Sequence, residues 1–270
     1  MAGSPTPEHR RLFGGDPAGY ERGRPDYPSR VYEILTARCG LRPGTATLEI
    51  GPGTGLATRR LLELGASPLV AVEPDERLAD YLVNRLRADG HAIDLRHASF
   101  EEAVLESASF DLVVSATAFH WLDQPVALAK VATVLRRGGW LVNWWNVFGD
   151  SFGVDEFHEV TQHIMVPLGR PAANPDGALP FPLDADARLA DLRAVGAFDE
   201  IDHEILPWPA RFDPSQIRAL YSTFPNVSSL PEPRRSEVLD ALADVAEREF
   251  GGMVERTFYT SIYLARRASR

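Results

Sequence analysis

Cysteine is almost absent from this chain: a single thiol, Cys39, stands in 270 residues. One cysteine excludes an internal disulfide, and without a Cys/His set around it no zinc site is expected. Its expected place is a small buried thiol. Long apolar runs are also missing. No stretch approaches the roughly 18 uncharged apolar residues that mark a membrane-spanning helix. The first fifteen residues, MAGSPTPEHRRLFGG, lack the apolar centre of a secretory signal and are expected to form a flexible N-terminal arm over 1–15. Positive charge is in deficit: 28 basic residues against 38 acidic ones leave a net charge of −10, which opposes a phosphate backbone. The basic residues that neighbour one another, at 9–11, 59–60, 234–235 and 266–267, form short runs that suit solvated faces and chain ends. His158, His163 and His203 show no metal-ligand spacing, so no metal is expected. These absences lead to an expectation of a cytoplasmic protein with a small-molecule partner, no nucleic acid and no membrane.

What the chain does have is alternation. Short runs rich in Val, Ile and Leu at 47–50, 69–72, 93–96, 111–115 and 140–147 read as strands buried on both faces. Between them lie helical patterns. One runs from Leu56 to Gly65. The next starts at Asp75, a good N-cap, and carries Leu78, Leu82 and Leu86 before Gly90. A third follows Asp123 and ends at Gly138-Gly139. Strand–helix repetition of this kind predicts right-handed βαβ units and a parallel sheet. Upstream, 28–38 reads as a helix. Downstream, helices are expected at 155–166, 186–195, 214–221 and 232–250, with strands at 201–206 and 256–265 and a Pro/Gly-rich loop at 167–182. Such long insertions in a compact domain are usually lids or binding segments.

The stretch LEIGPGTGLAT at 48–58 carries the chemistry. A strand ends at Ile50, and Gly51, Gly53 and Gly55 fill the turn before a helix. Glycine there lets the backbone take positive φ and lie against a ligand, with N–H groups and a helix N-terminus facing a polar group. Glu73 follows about 20 residues later, where a carboxylate can accept from ribose hydroxyls. A dinucleotide fingerprint would need a small residue where Leu56 stands, and the Gly-Lys-Ser/Thr of a P-loop does not follow.

Glu49-x-Gly51-x-Gly53-x-Gly55 with Glu73 resembles motif I and its acidic follower in class I S-adenosylmethionine (SAM)-dependent methyltransferases. FDLVVSATAFHWLD at 110–123 and LAKVATVLRRGGWLV at 128–142 resemble the type 11 methyltransferase family, most closely members like trans-aconitate methyltransferase, and so does AGYERGRPDYP at 18–28. The resemblance covers roughly 19–147. It implies an α/β, doubly wound, seven-stranded and mostly parallel sheet, Rossmann-like, with helical lid insertions near 148–185 and 212–250 in a single domain over 16–270.

It also implies roles. Gly51 and Gly53 would line the methionine part of SAM, and Glu49 would fix the turn and the amino group. Glu73 would hold the ribose hydroxyls, with Pro74 or Asp75 at the adenine. Ser99 and Phe100 match the adenine-contact position, although Asp is frequent in the family where Ser99 stands. Ala116 and Thr117 would pass the sulfur and methyl group. Tyr20 and Arg24 would close over the cofactor, Arg24 facing its carboxylate.

A base is needed only for a weakly acidic acceptor. His120 is the candidate catalytic residue. The alternative is that His120 and Trp121 form a packing and hydrogen-bonding unit. Trp144 or Trp145 is expected on the cavity wall, with 152–166 and 217–230 as the roof. The expected activity is methyl transfer to a small molecule. The alternatives are a macromolecular acceptor or a non-methylating SAM-binding enzyme of the same fold.

Overall fold

The computed structural model describes residues 16–148, 152, 155–169 and 179–269. The expected arm at 1–15 and most of the Pro/Gly-rich loop lie outside the described residues. Seven strands form one sheet in the order β3-β2-β1-β4-β5-β7-β6. They are β1 (Thr45–Ile50), β2 (Ala66–Val72), β3 (Asp94–Arg96), β4 (Phe110–Ala116), β5 (Leu135–Phe148), β6 (Phe198–Phe212) and β7 (Val254–Arg267). The first five pair in parallel, and β7 runs antiparallel between β5 and β6.

Parity divides the core. Leu141 and Trp145 of β5 join one cluster with Leu48, Ile50, Val113 and Tyr263. Trp140, Val142 and Trp144 point to the other face and pack with Leu112, Val114 and Ile262. Helix α5 (Gln124–Val134) covers the first face through Leu128 and Val131. Helices α2 (Ser29–Ala37) and α3 (Leu56–Glu63) cover the second through Leu35 and Leu61. Asp75 caps α4 (Glu76–Ala88), accepting from the Arg77 N–H, and Leu78, Leu82 and Leu86 are its buried stripe.

One element is added and two expectations change. The segment around Tyr20 is a helix, α1 (Pro17–Gly23), because the Asp16 carboxylate accepts from the Gly19 N–H at 2.8 Å and Pro17 begins the first turn. The fifth strand begins at Leu135, so the preceding helix stops four residues before the glycine pair. The strand expected at 201–206 continues to Phe212 through Pro207 and Pro209. It is the edge strand of the sheet, where a proline's missing N–H costs no second ladder.

The far ends of β6 and β7 outrun the sheet's core and carry their own helices. These are α6 (Glu156–Met165), α8 (Pro214–Ser222), α9 (Pro225–Ser228) and α10 (Arg234–Phe250), while α7 (Ala185–Ala194) lies on the sheet. Phe157, Ile217, Leu220, Leu242, Val254 and Phe258 form a third core between them. Buried Arg256 ties it together. Its Nε donates to the Asp155 carboxylate at 2.8 Å, and its Nη1 donates to the Tyr221 hydroxyl at 2.6 Å.

Candidate active site

The turn after β1 is built by positive-φ glycines, with φ of +67° at Gly51, +57° at Gly53 and +89° at Gly55. A Cβ on Gly51 would lie 2.5 Å from the Cβ of Ala118, so the turn presses directly on the loop after β4. At the end of β2, Glu73 is buried, and both its carboxylate oxygens accept backbone N–H groups: Gly53 at 3.1 Å and Asp75 at 3.0 Å. Burial raises its pKa, and the two N–H groups oppose that rise. After β3, Ser99 Oγ donates to Glu102 at 2.8 Å. The chain's single lysine, Lys130 of α5, donates to the carbonyls of Phe100, Glu101 and Ala103 at 2.7, 3.1 and 2.5 Å. That amine fastens the turn that presents Phe100. After β4, Thr117 has φ +56°, its N–H donates to the Trp144 carbonyl at 2.7 Å, and its hydroxyl meets the Tyr27 hydroxyl at 3.0 Å.

These turns surround one cavity at the carboxyl edge of the parallel strands, about 1370 Å³ when its open mouth is included. Among the residues expected at the site, Tyr20, Arg24, Gly51, Gly53, Glu73, Pro74, Ser99, Phe100, Ala116, Thr117 and His120 all line it. Glu49 does not. It is fully buried, neither carboxylate oxygen has a hydrogen-bond partner, and burial pushes its pKa up to about 7. The Thr58 hydroxyl is near enough to soften that rise but completes no hydrogen bond of good geometry.

The walls differ from expectation in two ways. Neither Trp144 nor Trp145 lines the cavity, because each turns into one of the two sheet cores. Asn146, one residue on, does line it, with Phe258 beside it from β7. Nor does any described residue of 152–166 or 217–230 line it; α1 covers it instead, through Tyr20 and Arg24. The insertion supports that cover from behind. The Arg24 guanidinium lies 5.4 Å from the Phe224 ring centre and donates to the Thr223 carbonyl at 3.5 Å. At Gly23 a Cβ would fall 2.3 Å from the Ala219 carbonyl oxygen, so only glycine lets α1 seat on α8. Phe258 and Tyr27 are lining residues that the sequence reading missed. A period-2 count back from the aromatic end of β7 was the one signal available for Phe258.

Polar groups at the His120–Asn146 end of the cavity are fixed by relays. The Trp208 indole donates to Thr260 Oγ1 at 2.8 Å, Thr260 donates to Asn146 Oδ1 at 2.7 Å, and Asn146 Nδ2 donates to the Asp26 carbonyl at 3.3 Å. His120 accepts from the Trp145 indole at 2.9 Å, and burial pushes its pKa down to about 4.

Residues 48–143 match the family model described as a methyltransferase domain. An uncharacterized methyltransferase of Schizosaccharomyces pombe is 25% identical over 87% of this chain and 87% of its own length. An uncharacterized methyltransferase of Mycobacterium tuberculosis is 37% identical over 55% of this chain, and the match spans 58% of that protein. Phosphoethanolamine N-methyltransferase 2 of Haemonchus contortus, solved with phosphomonomethylethanolamine and S-adenosylhomocysteine, superposes with a TM-score of 0.58 at 13% identity. That match covers 97% of this chain and 59% of the nematode chain. Residues 48–143 are a methyltransferase domain, and the chain as a whole has a methyltransferase fold. The matched domain holds the glycine turn, Glu73 and His120, while the cover, Asn146 and Phe258 lie outside it. No helix among the described residues of this methyltransferase is long and apolar enough to cross a membrane.

Proposed function

We propose that this methyltransferase modifies a small molecule held between the glycine turn and the Asn146–Phe258 wall. The observation that carries this reading is the cavity. It runs from Gly51, Gly53 and Glu73 at one end to His120, Trp121, Asn146 and Phe258 at the other. The residues fit SAM on their own chemistry. A turn of positive-φ glycines, with no room for a Cβ at Gly51, lets the backbone touch the methionine part, and Glu73 keeps oxygen lone pairs free for ribose hydroxyls. Pro74 and Phe100 offer flat apolar surface to the adenine, and Ala116 and Thr117 border the sulfur. Ser99, whose hydroxyl is already given to Glu102, contributes little to the adenine amine. Arg24, with a buried Nε lacking a partner, is suited to the methionine carboxylate. Glu49 acts from beneath the turn rather than on the cavity.

When bound, SAM supplies an electrophilic methyl on a good leaving group. The protein's share of the reaction is then to position the acceptor in line and to exclude water. Tyr20 and Arg24 close the cavity, and Phe258 and Trp121 give the acceptor an apolar wall. The net charge of −10 argues against a polyanionic acceptor. Incubation with methyl-labelled SAM and separated metabolite, RNA and protein fractions tests the reading. Label is expected in the metabolite fraction, and label confined to RNA or protein overturns it.

A further inference from the structure

His120 sits on the short turn Phe119–Trp121 after β4, lines the cavity, and has one hydrogen-bond partner among the described residues. That partner decides its chemistry. The Trp145 indole nitrogen can only donate, so the 2.9 Å contact requires a lone pair on His120 Nδ1. An imidazolium has none, and neither does the neutral ring with its proton on Nδ1. The remaining form carries its proton on Nε2. The polar group left for the cavity is therefore an N–H, not a basic nitrogen.

The indole cannot easily swing away. Trp145 is buried and packs against Tyr263 edge-on at 6.1 Å and against Phe181 at 5.6 Å. Phe181 in turn lies 6.0 Å from His120, with the Arg188 guanidinium over its face at 3.9 Å. The next residue is pinned to the sheet, because the Pro182 carbonyl accepts from Ser261 Oγ at 2.6 Å and from the Tyr263 hydroxyl at 2.8 Å. The Trp121 ring lies 4.6 Å from the histidine ring, tilted by 41°. Burial independently disfavours the charged ring.

We propose that Trp145 is a positioning residue that holds His120 as a hydrogen-bond donor, and that His120 Nε2–H selects acceptors presenting a carbonyl or anionic oxygen rather than serving as the base. The proposal rests on the small-molecule reading above and deepens it. The acceptor atom must attack with a lone pair it already carries at neutral pH, since His120 takes no proton from it. The oxygen gripped by Nε2–H is a neighbouring one, because donation to the attacking atom itself would weaken the attack.

Nitrogen-15 NMR of the full chain, labelled at histidine and tryptophan, tests this without turnover. At pH 7, with or without S-adenosylhomocysteine, His120 is expected to show a protonated Nε2 and an unprotonated Nδ1. A through-hydrogen-bond coupling should join that Nδ1 to the Trp145 indole nitrogen. In Trp145→Phe the ring should lose its single tautomer. In the S-adenosylhomocysteine-saturated protein, millimolar acetate or inorganic phosphate should move the Nε2 proton downfield, and methylammonium should not.

A protonated Nδ1 or absent coupling in the unmutated protein overturns the proposal, as does an unchanged tautomer in folded Trp145→Phe. Silence toward both oxyanions removes the selecting role. Binding of S-adenosylhomocysteine, measured on the same sample, and the fate of the methyl label judge the methyltransferase reading separately.

Discussion

At the glycine-turn end of the cavity the contacts are mostly backbone, whereas the His120–Asn146 end is built of side chains oriented by other side chains. Gly51, Gly53 and the N–H groups held by Glu73 owe their positions to φ angles and to strand ends that lie next to each other in the sheet. His120 and Asn146 owe theirs to Trp145 and Thr260, which come from β5 and β7. A backbone site is sensitive to a Cβ where the chain packs tightly, as at Gly51, but is indifferent to distant side chains. A relayed site tolerates local change but fails when a partner two residues removed is lost.

The sharpest way to break the comparison is Gly51→Val. A β-branched residue at φ +67° costs about 1–2 kcal/mol or more. Its Cβ, 2.5 Å from Ala118, adds about 1–3 kcal/mol of overpacking. Affinity for S-adenosylhomocysteine by calorimetry should fall on the order of a hundredfold or more. Circular dichroism should show the fold retained. Gly53→Ala, whose Cβ meets no protein atom within 4 Å, escapes the overpacking but keeps the strain of a side chain at φ +57° and should lose less.

The same contrast explains what was legible in the sequence. Gly51, Gly53 and Glu73 were readable because they stand at or just past the ends of apolar strand runs, whereas Pro74 and Phe100 came from the family resemblance. The sheet was readable for the same reason, down to the caps Asp75 and Asp123. The acceptor end was not. Whether Trp144, Trp145 or Asn146 faces the cavity depends on where β5 stops being core, and local pattern does not contain that. No described residue of the expected roof lines the cavity, because Phe157, Ile217, Leu220 and Val227 of those segments pack into a third core. What they leave for the site is a seat for α1. The reach of β6 to Phe212 was hidden by two prolines that only an edge strand accepts.

Glu49 tests the cofactor end through pH. Its native pKa of about 7 stands above the ordinary 4.5, so between those values the native state holds a proton that the unfolded state has lost. Stability contributed by this group is full below pH 4.5 and is lost as pH rises through 7, by up to about 3 kcal/mol. Denaturant unfolding of the unliganded protein at pH 5 and pH 8 should show that loss. Glu49→Gln should flatten it, and equal pH slopes in the two proteins would refute the assignment. Glu73→Ala follows in size. It removes the acceptor for two backbone N–H groups and for the ribose, so S-adenosylhomocysteine affinity should fall by about 1–3 kcal/mol. Unchanged affinity would place the ribose elsewhere.

The smallest effect sharpens the other side of the comparison. Trp208 lies outside the cavity lining, yet its indole N–H, given to Thr260 Oγ1, forces the threonine proton toward Asn146 Oδ1. That in turn leaves Asn146 Nδ2 as the group facing the Asp26 carbonyl and the cavity. In Trp208→Phe the ring still stacks on Phe258, at 5.1 Å in the unmutated protein, so packing is largely kept while the relay loses its first donor. Thr260 can then rotate, and the Asn146 amide is free to turn. The loss should be about 0.5–1.5 kcal/mol, read as a roughly two- to tenfold rise in the acceptor's KM. Affinity for S-adenosylhomocysteine should stay within about twofold, because no backbone contact of the glycine turn depends on Trp208. The side-chain amide protons of Asn146 give a readout that needs no acceptor: they should exchange with solvent faster in the variant. Equal exchange rates would mean that Asn146 is held by Asp26 alone, and that the acceptor end is less dependent on its relays than the geometry implies.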